Sequence, residues 1–67
     1  DKQQLSHREQ EVITLLASGL RDRDIANQLY ISDSTVKFHV NNILIKLEAK
    51  TRLQALYKLI SSNGWEF

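Results

Sequence analysis

Val36, Val40, Ile43, Leu44 and Leu47 recur at i, i+4, i+7, i+8 and i+11. This spacing lays one apolar stripe along an α-helix and does not fit a strand, whose side chains alternate with period two. A stripe this regular needs a core to lie on. No other run alternates long enough to make a strand, so the partners in that core are expected to be helices too.

Start and stop signals divide the rest of the chain. Ser6-His7-Arg8-Glu9 is a capping box, and Val12, Ile13, Leu15, Leu16 and Leu20 follow at helical spacing. The first helix is therefore predicted over about residues 7–18, with Gly19 as a left-handed stop. A second helix of about eight residues starts near Asp22, read as its N-cap, with Ile25, Ala26 and Leu29 as its stripe and an end near Leu29 or Tyr30. Ser32 caps the third helix, which runs to about Leu47. Glu48-Ala49-Lys50 is a connector, and Thr51 with Gln54 forms another capping box. The fourth helix carries Leu53, Ala55, Leu56, Leu59 and Ile60, ends at Asn63-Gly64, and leads to a short tail with Trp65 and Phe67.

The expected fold is all-α: a compact four-helix domain, one unit over residues 1–67, containing a helix-turn-helix. The link between helices 2 and 3 is very short, and Ala26 is small enough to let them cross closely.

Composition narrows the function. The chain has 67 residues, too few for most enzymes to shape a pocket, and no catalytic role is expected. There is no cysteine, no phosphate-binding glycine loop and no nucleophile elbow. His7 and His39 share no spacing with a carboxylate or thiol, so neither a metal nor a cofactor is expected. The apolar stretches are too short to span a membrane, and no charged-then-apolar leader opens the chain. The formal net charge of +1 is uninformative, but its distribution is not. Residues 1–36 carry four basic and six acidic side chains, whereas residues 37–67 carry five basic and two acidic ones. A basic half suits a phosphate-binding face, and a mixed, solvated surface is the plainer alternative.

On a helical wheel, Phe38 and Ile45 project away from the stripe of helix 3, with Asn41 and Asn42 flanking them and Lys37 at the shoulder. His39 and Lys46 lie nearer the other shoulder, and no acid follows Asp33 until Glu48. These side chains match major-groove chemistry. Asn pairs with adenine, Lys with guanine, and Phe touches a thymine methyl. The hydroxyls of Ser34 and Thr35 suit phosphate, as do Lys46, Lys50 and Arg52. Each has a plain alternative. Phe38 and Ile45 also suit a protein contact or packing against the tail, Asn41 and Asn42 an ordinary polar surface, and His39 the core edge.

Four blocks carry a family resemblance. Leu5-Ser6-His7-Arg8-Glu9-Gln10-Glu11-Val12 resembles the L-[ST]-x-R-E-x-x-V opening of LuxR-type DNA-binding domains. Asp24-Ile25-Ala26, Leu29 and Ile31-Ser32 resemble their E-I-A-x-x-L-x-I-S stretch. Thr35 to Leu44 with Lys46-Leu47 resembles T-V-K-x-H-V-x-N-I-x-x-K-L, and Arg52, Gln54 and Ala55 resemble the start of the last helix. The resemblance runs from residue 5 to about 60 and is nearest to the NarL/FixJ branch, the output domains of two-component response regulators.

The resemblance implies a helix-turn-helix over about residues 22–41 and a recognition helix over about 33–47 in the major groove. It implies base contacts by Lys37, Phe38 and Asn41, and backbone contacts by Ser34, Thr35, His39, Asn42 and Lys46, joined by Lys50 and Arg52. Leu53, Leu56, Tyr57 and Ile60 are its candidates for a dimer contact. The expected role is sequence-specific binding of double-stranded DNA in the cytoplasm, as the C-terminal part of a longer transcription regulator. Its expected partners are a second copy and RNA polymerase. The competing reading is a small protein-interaction or dimerisation domain anchored by Phe38 and Ile45.

Overall fold

The computed structural model describes residues 5–63. They form α1 (His7–Ala17), α2 (Asp22–Leu29), α3 (Asp33–Leu47) and α4 (Arg52–Asn63), with no strand among the described residues. α3 is the central element and packs against each of the other three helices, while α1 also meets α2. Val12, Ile13, Ile25, Ala26, Val36, Val40, Ile43, Ala55 and Leu59 form the core. The stripe of α3 thus faces inward as its spacing requires, with Leu44 and Leu47 packed at the core margin. No described helix is long and apolar enough to cross a membrane.

The helix starts are built by local polar side chains. Ser6 Oγ accepts from the Glu9 amide at 3.2 Å, and Glu9 Oε1 accepts from the Ser6 amide at 2.9 Å, which completes the expected box. Ser32 Oγ accepts from the Thr35 amide at 3.1 Å and opens α3 where the sequence placed it.

Two starts differ from expectation. Asp22 is the first residue of α2 and not its cap; Arg21 occupies the cap position. Arginine has no acceptor, so only the return half of a box forms: the Arg21 amide donates to Asp24 Oδ2 at 3.4 Å. At α4, Thr51 Oγ1 accepts from the Gln54 amide at 3.1 Å as expected. Gln54 Oε1, however, accepts from the Lys50 amide at 2.6 Å, one residue before the position a capping box uses.

The first three helices share one kind of stop. Gly19 has φ +94°, Tyr30 φ 59° and Glu48 φ 54°, all left-handed. In each case the next amide reaches back into the last turn: Leu20 to the Leu15 carbonyl, Ile31 to Ala26 and Ala49 to Leu44, at 3.3, 3.0 and 2.9 Å. Leu20, Ile31 and Ala49 then pack against the core, the apolar contact that accompanies this motif. α1 accordingly ends at Ala17, a residue earlier than predicted, with Ser18 as its cap. The predicted stop at Gly64 and the tail residues Trp65 and Phe67 lie outside the described residues.

Candidate nucleic-acid interface

Packing α3 by its stripe turns a defined set of side chains outward. Ser34, Lys37, Phe38, Asn41 and Ile45 are exposed, Phe38 by 60% and Ile45 by 74%. Thr35, His39, Asn42 and Lys46 are half-buried along the shoulders of the same helix. The plain alternative of a core-edge histidine fits His39 in part, since it is half-buried. Its ring meets Phe38 edge-on, with centroids 5.7 Å apart and planes inclined by 63°. At the N-terminus of the helix, Thr35 Oγ1 lies 2.9 Å from Ser32 Oγ, so its hydroxyl is engaged in the cap.

Two cations expected at the phosphate rim have internal partners. Lys46 Nζ donates to Glu9 Oε1 at 2.8 Å and ties α3 to α1. The Glu9 side chain is only 6% exposed. Burial pushes its carboxyl up, but the Lys46 ammonium and the Ser6 amide outweigh this and hold it below the ordinary value of 4.5. Arg52 donates through Nη1 and Nη2 to the two carboxylate oxygens of Asp22, at 2.6 and 2.9 Å. This fork holds the Asp22 carboxyl below its ordinary 3.8 against the opposing effect of burial, with Lys37 adding to the lowering, and raises the Arg52 guanidinium. Lys50 is exposed.

Glu9, Asp22 and Lys58 stand outside the set of side chains expected at the interface. Lys58 Nζ donates to the carbonyls of Leu47 and Glu48 at 3.2 and 2.8 Å, holding the last turn of α3 from α4. Helical spacing gives no sign of these partners. The available signals were a single acid in the α1 box and an acid opening α2, each inviting a cation from elsewhere in the chain.

α4 presents a separate surface. Leu53, Tyr57 and Ile60 are exposed by 77%, 68% and 41% at i, i+4 and i+7 and form one stripe on the outer side. Leu56, the fourth candidate for a dimer contact, instead packs against the core.

Comparison with known proteins shows the family and the fold. The family model for bacterial regulatory proteins of the luxR family matches residues 3–59. The chain is 48% identical over 61 residues to the transcriptional regulatory protein DegU of Brevibacillus brevis, covering 91% of this chain and 25% of that protein. It is 45% identical over 60 residues to the uncharacterized transcriptional regulatory protein YhcZ of Bacillus subtilis (strain 168), covering 90% and 28%. The response regulator protein VraR of Staphylococcus aureus (strain NCTC 8325 / PS 47) is 42% identical over 59 residues, covering 88% and 28%. The chain thus spans roughly a quarter of the length of these relatives. The solved structure of the transcription factor GerE superposes with a TM-score of 0.83 at 37% identity, over 88% of each chain.

Proposed function

Since this chain belongs to the luxR family of bacterial regulatory proteins, we propose that it binds specific double-stranded DNA sites to regulate transcription, with α3 in the major groove. Residues 22–41 then form the helix-turn-helix and residues 33–47 the reading helix. The observation that carries this reading is the outward face of α3. It combines exposed Lys37, Phe38 and Asn41 with no acid between Asp33 and Glu48.

Lys37 and Asn41 supply the donors and the acceptor that base edges require, and Phe38 lies beside them. Ser34, Thr35, His39 and Asn42 border the sugar-phosphate backbone, and exposed Lys50 adds charge at the rim. Lys46 and Arg52, bound to Glu9 and Asp22, chiefly fix α3 and α4 in place while adding to the local positive field. A second copy docks through the Leu53, Tyr57 and Ile60 stripe and reads a second half-site related by symmetry.

Selection of bound sites from random duplexes tests this directly. The expected result is an enriched motif of two related half-sites. Recovery of no preferred sequence, or amide shifts confined to surfaces other than α3 on titration with a selected duplex, would overturn it.

A further inference from the structure

Phe38 is out of place as a solvent-facing side chain. It is 60% exposed, yet it sits among polar residues on the face assigned to duplex reading, between Lys37 and Asn41. Phenyl has no donor or acceptor, so it cannot answer the hydrogen-bonding pattern of a base edge. The base-pair edges in the major groove carry acceptors and donors, with one apolar projection, the C5-methyl group of thymine. His39 packs edge-on against the ring, with centroids 5.7 Å apart, which limits its freedom on that face. Ile45, the other exposed apolar residue of α3, lies two helical turns further on, about 10 Å along the axis, and meets a different base step.

We propose that Phe38 is a specificity-determining residue that selects thymine at one position of each half-site through contact with its C5-methyl group. This rests on the reading of α3 as the duplex-reading helix and adds a discrimination that Lys37 and Asn41 do not supply. Both of those recognise hydrogen-bonding groups, which exchanging thymine for uracil leaves in place, whereas a methyl contact separates the two bases.

The test replaces each thymine of a selected duplex in turn with deoxyuridine, which removes the methyl group and preserves pairing and the O4 acceptor. Binding of the unaltered 67-residue protein is measured for every duplex. The expected result is a loss of about fourfold at one thymine per half-site and no loss elsewhere. Phe38→Ala is expected to bind the thymine and deoxyuridine duplexes equally at that position, with its helical content unchanged because the side chain is exposed.

Uniform binding across the deoxyuridine series overturns the proposal while leaving specific duplex binding standing. A selected site without thymine, or an undiminished thymine preference in Phe38→Ala, has the same consequence. Failure to select any duplex overturns the reading of α3 itself. The scan on the unaltered protein decides the matter even where a variant folds poorly.

Discussion

Arg52 and Asp22, thirty residues apart in the chain, meet through two hydrogen bonds of 2.6 and 2.9 Å that join the first turn of α4 to the first turn of α2. A guanidinium forks onto a carboxylate in a way an ammonium cannot reproduce. Arg52→Ala is expected to lower stability by about 1–2 kcal/mol, and Arg52→Lys to lose most of the same amount despite keeping the charge. Urea unfolding of the two variants checks this. An Arg52→Lys protein as stable as the parent would show that the fork contributes nothing.

The Glu9–Lys46 pair differs because its carboxylate is almost fully buried. Removing the cation leaves a charge stranded in the core margin, which costs more than the pair itself is worth. Lys46→Met is expected to lose about 2 kcal/mol. Glu9→Gln combined with Lys46→Met is expected to lose less than the sum of the two single changes. A double-mutant cycle by urea denaturation measures the coupling, and strict additivity would contradict it.

Acid should weaken the fold through these same two groups. The folded state holds the Glu9 and Asp22 carboxyls below their ordinary values of 4.5 and 3.8. Their contribution is therefore complete above the ordinary values and disappears as pH falls through the lowered ones. The urea midpoint is expected to drop progressively as pH is taken below about 4.5. Asp22→Asn and Glu9→Gln should each flatten that drop, and an unchanged acid profile in both variants would rule this out.

Lys37→Ala and Asn41→Ala are expected to relax base preference at one position each, at a cost of about 1–3 kcal/mol on the best site. Lys50→Ala is expected to weaken binding to every sequence alike and to reduce the salt slope by about one. Binding titrations on matched and mismatched duplexes at several salt concentrations separate the two behaviours. All three side chains are exposed, so the variants should unfold with the parent.

On α4, Leu53→Asp and Tyr57→Asp are expected to leave the fold intact, since both side chains stand in solvent. On a duplex with two half-sites they should reduce binding about tenfold, and on a single half-site not at all. Equal loss on both duplexes would place the second-copy contact elsewhere.

The periodicity of Val36, Val40 and Ile43 gave the buried side of α3, and with it the outward placement of Phe38 and Ile45. Caps such as Ser6 and Ser32 were legible because their partners are three residues away. The partners of Glu9 and Asp22 were not, because they lie 37 and 30 residues along the chain. A helical wheel ranks faces, and it carries no information on which face of another helix will lie opposite. The left-handed stops at Tyr30 and Glu48 were missed for a different reason. Only Gly19 announces that conformation by residue type, whereas the other two cost about 1–2 kcal/mol each in backbone strain that tertiary contacts offset. A better signal was the apolar residue just after each stop, which returns to the core.

Lys58 has a mechanical consequence. Because it fastens the final carbonyls of α3 from the middle of α4, the two helices behave as a bracket with its corner braced. Were two copies joined edge to edge along α4, as proposed, this brace would hold their two α3 helices at a fixed separation.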